Sequence, residues 1–203
     1  MKILHIDCSP RDVSHSRKMS ADIVVHLLAL APGASIIRRD LGREPVPHAD
    51  AGYANALSSP ASLDAEQAMT ATRLSEQLIR EVEDADALVI GTPVNNFTVP
   101  SNLKAWIDQV LRVRRTIGTT PTGEKIGLLQ DKPVYVGIAS GGVFTGEHAK
   151  QPDFLTPYLR AAFACIGLKS LRFLALQGTA FRDDEQLRAE RIALVASLDM
   201  AGK

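Results

Sequence analysis

Three short clusters in this chain combine polar side chains, small residues and strand-like flanks in ways that could hold a ligand. In one, Pro93-Val94-Asn95-Asn96-Phe97 follows the apolar run Ala87–Thr92 and precedes the amphipathic stretch Ser101–Leu111. Such a change marks the carboxyl end of a buried strand opening into a helix, the place where open parallel sheets bind ligands. Two amides and an aromatic ring there suit a flat, heteroatom-rich molecule, and Asn96 reads as the most constrained of the five. Pro100 holds Val99 extended, and Ser101 is the expected N-cap of the next helix.

A second cluster, Cys8-Ser9-Pro10-Arg11-Asp12-Val13-Ser14-His15-Ser16, follows the apolar residues Ile3–Ile6. A hydroxyl-rich turn before a helix can cradle a phosphate, because the first helical N–H groups lack partners and the helix dipole favours an anion. Neither Gly-x-Gly-x-x-Gly nor Gly-x-x-x-x-Gly-Lys is present, so a single terminal phosphate held by Ser9, Ser14 and Ser16 is expected. Ser14 could equally serve only as a helix cap. Cys8 raises a rival reading as a phosphatase nucleophile. That chemistry needs an arginine six residues later to clamp the phosphoryl group and activate the thiol, whereas position 14 is Ser and Arg11 has the wrong spacing. Cys8 is therefore expected to pack. The third cluster, Ala139-Ser140-Gly141-Gly142, follows Val134–Ile138. Paired glycines let a ring approach the backbone closely, or they build a turn that needs positive φ. His148, in the loop beyond, is a candidate proton donor by residue type, although a lone loop histidine is more often simply solvated.

The elements that must position these clusters alternate short apolar runs with longer amphipathic ones. Strands are expected at Ile3–Ile6, Ser35–Arg38, Ala87–Gly91, Val134–Ile138 and Leu171–Leu176. Helices are expected from Ser14 to about Ala31, over Ser62–Val82, after Pro100, over Phe154–Ile166 and over Asp184–Leu198. Gly42–Pro60, with Pro45 and Pro47, reads as a long loop, and the Gly- and Thr-rich Thr116–Asp131 as an inserted loop or hairpin. Five strands alternating with five helices make an α/β fold, a doubly wound five-stranded parallel sheet of flavodoxin-like order with helices on both faces. One domain over residues 1–203 accommodates the pattern.

Composition narrows the function. With 203 residues, 45% hydrophobic and 23% charged, and zero formal net charge, the chain has ordinary globular character. No charge excess points to nucleic acid or an anionic membrane, and no apolar run reaches the length of a membrane span. The apolar stretch at the amino end is too short and too charged for a signal peptide. Cys8 and Cys165 lack metal-type spacing with the five histidines, so two free thiols in a cytoplasmic protein, with no structural zinc, are expected.

Together the clusters resemble the FMN-dependent NADH-azoreductase and NAD(P)H:quinone oxidoreductase family of flavodoxin-like fold, nearly end to end. The family's Ser followed by Ser-x-Ser is matched by Ser9 and Ser14-His15-Ser16. Its Pro-Met-Tyr-Asn-Phe loop and Leu-Lys-x-aromatic-x-Asp helix correspond to Pro93–Phe97 and Leu103–Asp108, and its Ser-Arg-Gly-Gly loop to Ala139–Gly142. Pro157-Tyr158-Leu159 and Ile166-Gly167 also fit. The resemblance implies tightly bound FMN, with its phosphate at Ser9, Ser14 and Ser16, its ring edge along Val94–Phe97 and its polar end at Ala139–Gly142. It implies NADH or NADPH as donor and ping-pong transfer of two electrons to quinones and azo compounds, with no essential protein acid or base. It further implies a homodimer with a flavin site at each end of its interface. A nitroreductase, an NADH:FMN reductase or a non-catalytic flavodoxin-like electron carrier are the alternatives. Asn95, Ile117 and Cys165 stand where relatives often carry rings, and Ala139-Ser140 where they carry Ser-Arg, so the substrate wall is expected to be poor in aromatic surface.

Overall fold

Apolar runs bounded by Gly, Pro and Asp form the strands of a parallel sheet. The structure, a computed structural model, describes residues 1–58 and 65–198. Its described elements are β1 (Lys2–Asp7), α1 (His15–Leu30), β2 (Ser35–Asp40), α2 (Ala51–Ser58), α3 (Ala65–Asp84), β3 (Ala87–Pro93), α4 (Ser101–Val110), β4 (Ile117–Thr119), β5 (Lys125–Gly127), β6 (Val134–Ala139), α5 (Leu155–Cys165), β7 (Leu171–Leu176) and α6 (Asp184–Ala196). Five strands pair in parallel in the order β2-β1-β3-β6-β7. The expected doubly wound α/β sheet of flavodoxin-like order is thus the one formed.

Burial explains why the central strands are continuously apolar. In β3 every residue but Pro93 is buried, because helices cover both faces, whereas the edge strand β7 alternates buried and half-buried positions. One core joins the sheet to α3, α4 and α5 through Leu78, Leu103, Trp106, Leu159 and Phe163; a second joins it to α1 and α6 through Met19, Ile23 and Leu187. Trp106 is fully buried and meets Phe163 in a tilted pair with ring centroids 6.3 Å apart.

Several expectations change in detail. The stretch Gly42–Pro60 is not all loop: α2 occupies Ala51–Ser58, started by Asp50, whose carboxylate accepts the Tyr53 N–H at 2.7 Å. Gly52 in its first turn and its short length mask it in the sequence. The helix expected from Ser62 is seen from Ala65, its first three positions lying outside the described residues. Six helices are thus described where five were expected. Ser101 is the first helical residue of α4, not its cap; Pro100 holds that position and makes no side-chain cap bond. The insertion at Thr116–Asp131 is the antiparallel hairpin β4–β5. Among the described residues no helix is long and apolar enough to cross a membrane.

Candidate functional site

The register of the sheet brings the three clusters side by side. Asp7 aligns with Gly91 and Pro93 with Ala139, so the chain leaves β1, β3 and β6 at the same edge. Backbone hydrogen bonds tie the exits together: Cys8 N–H to the Gly91 carbonyl and Val94 N–H to the Ala139 carbonyl, each at 2.9 Å. The sheet order reverses between β1 and β3, which makes this edge the topological switch point where open α/β sheets place their ligand crevice.

At the β1 exit, Ser9, Ser14 and Ser16 are buried and His15 is half-buried. Ser14 is the N-cap of α1, its Oγ accepting the Arg17 N–H at 3.2 Å and lying 3.2 Å from Ser16 Oγ. The cap and ligand readings of Ser14 are therefore compatible. Among the described residues the N–H groups of His15 and Ser16 have no acceptor, and the buried His15 Nδ1 has no partner. Burial, then the charge of Lys18, lowers the His15 pKa and keeps the imidazole neutral near pH 7. Free donors at a helix start are the chemistry an anion requires. Cys8 does not join them. It is completely buried, and desolvation followed by the charge of Asp7 pushes its thiol up, the opposite of what a thiolate nucleophile needs.

At the β3 exit the chain makes a tight turn, with Asn95 and Thr98 exchanging two backbone bonds at 2.9 and 3.0 Å. Asn96 and Phe97 between them both have positive φ, +48° and +71°. A two-residue turn with both central residues left-handed matches the twist of its flanks, but it favours Asn-Gly, so Phe97 holds a conformation an aromatic residue rarely adopts. The constraint expected at Asn96 thus lies in its backbone and is shared with Phe97. The side chains of Asn95, Asn96 and Phe97 are exposed, and Pro93 and Val94 are half-buried.

At the β6 exit, Ala139 and Ser140 are buried and Gly141 and Gly142 line the surface. Ser140 Oγ is engaged by Gln151 Nε2 at 3.3 Å, so it is turned toward the protein. The paired glycines do not have positive φ, which removes the turn explanation for them. A Cβ at Gly141 would touch only the Ala180 side chain at 3.6 Å, so the polypeptide itself leaves this spot clear. The carbonyls of Ser140, Gly141 and Gly142 are taken by the N–H groups of Thr179, Ala180 and Gly178, while the N–H groups of Gly141 and Gly142 have no acceptor among the described residues. The loop therefore offers donors to the crevice. His148 is exposed beyond it.

Three supporting residues carry no local signal in the sequence. Asn102 Nδ2 reaches from α4 to the carbonyls of Cys8 and Leu41, at 2.7 and 3.0 Å. Gln177 Oε1 accepts the N–H groups of Phe144 and Thr145, at 2.8 and 2.9 Å, and shapes the loop after the glycines. Arg17 donates to the Ser9 carbonyl. Each acts on a partner brought near only by folding. Ile117 and Cys165, expected in the substrate wall, are not at this edge of the sheet. Cys165 closes α5, whose opposite end begins beside Phe97 through the Phe154 N–H, and Ile117 packs in the hairpin beyond the end of α4. Of the three, Asn95 alone lies at an exit of the sheet, exposed to solvent. A groove of about 450 Å³ flanks the turn, lined by Asn95, Asn96, Lys104 and Tyr158. Larger grooves of about 660 and 860 Å³ lie along α3 and beside α2, and none of the three clusters lines them.

These features define a doubly wound α/β protein whose switch-point crevice could receive an anion at one end and a planar ring along the rest. Its sequence matches the family described as flavodoxin-like fold over residues 1–198, and the chain belongs to that family. A Pseudomonas fluorescens protein named FMN-dependent NADH:quinone oxidoreductase 4 is 46% identical over 188 residues, covering 92% of this chain and 88% of its own. A Burkholderia lata protein named FMN-dependent NADH:quinone oxidoreductase 5 is 42% identical, covering 98% and 95%. Among solved structures, an FMN-dependent NADH-azoreductase of Bacillus anthracis in complex with FMN superposes with a TM-score of 0.84 at 25% identity, covering 100% of this chain and 99% of that one.

Proposed function

We propose that this chain is an FMN-dependent NADH:quinone oxidoreductase. The observation that carries the reading is the set of N–H donors without acceptors among the described residues, at the start of α1 and on Gly141-Gly142, at one edge of the sheet in a chain 46% identical to a protein of that name. The residues fit the cofactor. Ser9, Ser14, Ser16 and the first N–H groups of α1 would hold the phosphate. Val94–Phe97 would follow the ring edge, and the N–H groups of Gly141 and Gly142 would meet its polar end. No glycine track for a pyrophosphate lies at the β1 exit, which favours FMN over a dinucleotide.

When bound, the flavin supplies the redox chemistry, taking a hydride from NADH and passing two electrons to a quinone. The protein's part is binding, orientation and exclusion of competing reactions. The strained Asn96-Phe97 turn holds a rigid edge against which a ring can be positioned. No essential protein acid or base belongs to the proposed chemistry, and His148 is exposed in the loop beyond the glycines. Donor and acceptor would use the same open face in turn, in a ping-pong order, with azo compounds as further acceptors. Exposed Phe97 and Phe154 beside the crevice support a homodimer that covers them.

The test is direct. The purified protein should be yellow and release a compound of FMN mass on denaturation, and NADH should bleach it rapidly under anaerobic conditions. Flavin that binds but resists NADH would instead support a flavodoxin-like electron carrier.

A further inference from the structure

Beneath the β1 exit lies a buried charged cluster that none of the chemistry above employs. Asp7, fully buried at the end of β1, accepts from Ser20 Oγ and Arg38 Nη2, both at 2.8 Å, and lies 3.5 Å from Arg17 Nη1. Arg17, on the first turn of α1, is 9% exposed. Its Nε and Nη2 both donate to the Ser9 carbonyl, at 3.0 and 2.6 Å, while Nη1 and Nη2 grip the Asp40 carboxylate at 2.8 and 2.6 Å. Asp40 ends β2 and also accepts the N–H groups of Gly42 and Arg43. One guanidinium therefore joins the β1 exit, the start of α1 and the end of β2.

We infer that Arg17 is a positioning residue for the phosphate end of the site, acting through the Ser9 carbonyl to make the crevice select a phosphorylated flavin over its dephosphorylated form. The inference rests on the proposed reading of Ser9–Ser16 as the phosphate loop. Arg17 does not reach the phosphate itself, because its donors are taken by Ser9, Asp40 and Asp7. It sets the plane of the Ser9–Pro10 peptide, and with it the direction of the chain that leads to Ser14 and the free N–H groups of α1. The fork geometry is what permits this, since a planar guanidinium presents paired donors in fixed directions to the carbonyl on one edge and the carboxylate on another. The chain after β2 is held close against the same peptide: a Cβ at Gly42 would collide with the Ser9 carbonyl oxygen and stand 2.8 Å from Arg17 Nη2, so glycine is required there chiefly by the Ser9 backbone that Arg17 grips.

Charge adds to shape. Asp7 and Asp40 place two carboxylates under a loop meant for an anion, and Arg17 and Arg38 offset them. Without Arg17 the Asp40 carboxylate would keep only Arg43, whose Nε lies 3.9 Å away, and the N–H groups of Gly42 and Arg43, and its less compensated charge would disfavour an anion at the loop above. Riboflavin carries no phosphate and would feel neither the repulsion nor the misplaced donors.

The experiment measures FMN and riboflavin affinities by flavin fluorescence quenching, on full-length protein freed of flavin, for the unsubstituted chain and for Arg17→Gln, Arg17→Lys and Asp40→Asn. The thermal midpoint of each variant is measured first. Arg17→Gln should weaken FMN about tenfold to a hundredfold, the scale of losing a charge-assisted contact, and leave riboflavin nearly unchanged. Arg17→Lys should not rescue it, because a single ammonium cannot make the fork; Asp40→Asn loosens the fork while removing a charge that opposes the phosphate, so it should move the FMN-to-riboflavin ratio the same way as Arg17→Gln but to a smaller extent. Should Arg17→Gln fail to fold, Arg17→Lys and Asp40→Asn decide the matter by the same ratio. Parallel loss of both flavins, or full rescue by lysine, overturns the inference. An unsubstituted chain that binds both flavins equally overturns the phosphate-loop reading and this inference with it, whereas a preference for FMN that stays undiminished in the folded Arg17 variants overturns the inference alone.

Discussion

Single residues at the crevice trade stability for geometry. Phe97 has a φ of +71°, a region where a residue with a Cβ costs about 1–2 kcal/mol relative to glycine. Phe97→Gly should therefore leave the flavin-free protein as stable or more stable by about 1 kcal/mol, while weakening FMN binding because the ring and the rigid edge are gone. Thermal and urea unfolding of the flavin-free protein, with a flavin titration alongside, reads both effects; a marked loss of stability would show that the ring packs more than it strains. Ser14 caps α1, and under the proposed function it would also hold the phosphate. Replacing Ser14 and Ser16 together by Ala should cost about 1 kcal/mol through the lost cap yet leave the chain folded. FMN affinity should fall well beyond that, with riboflavin little changed, and a proportionate loss of both flavins would count against phosphate recognition.

At the scale of elements, the α3 face holds the segment that leads into the β4–β5 hairpin through ions. Glu76 receives Arg112 and Arg115 from the turn after α4 and Arg80 from its own helix, while Arg115 also pairs with Glu83. Hydrogen bonds from Arg115 first, then from Arg112 and Arg80, outweigh burial and hold the Glu76 pKa at about 2, against 4.5 ordinarily. Because the folded value is depressed, this stabilisation is present above pH 4.5 and is lost as pH falls from 4.5 toward about 2. Glu76→Gln should lower stability at pH 7 by on the order of 1 kcal/mol, discounted for partial exposure, and should flatten the acid side of the stability curve. Urea unfolding at pH 7, 4 and 3 would check it; an unchanged acid slope in the variant would assign acid sensitivity to other carboxylates, such as Asp7 and Asp40.

Across the whole molecule, substrate choice depends on where rings end up. Ile117 and Cys165 lie away from the exits of β1, β3 and β6, so among the three positions Asn95 is the one that can strip aromatic surface from the proposed site directly. One well-placed ring contributes about 0.5–1.5 kcal/mol beyond burial, and 1.4 kcal/mol is about tenfold in rate. Benzoquinone should therefore exceed methyl red in kcat/KM by up to about tenfold, and Asn95→Tyr should narrow the difference. Measured kcat/KM values that favour methyl red would refute the argument and point to rings supplied by Phe97, Phe154 or a partner subunit.

Much of the architecture is legible in the chain because strand and helix patterns are local. Alternation, apolar runs and glycine or proline punctuation report the five parallel strands and most helices from a dozen residues at a time. The exits of β1, β3 and β6 were visible for the same reason, each being an unusual segment directly after an apolar run. Helix α2 was hidden because eight residues with Gly52 in the first turn carry too weak a pattern. What only folding decides is pairing over distance. Arg17 meets Asp40 across 23 residues, Gln177 meets Phe144 across 33, and Asn102 meets Cys8 across 94, and no spacing along the chain encodes those meetings. The sequence by itself determined which segments could bind; the sheet register, long-range hydrogen bonds and burial of Cys8 decided which atoms face the crevice, because a side chain's direction depends on everything packed behind it.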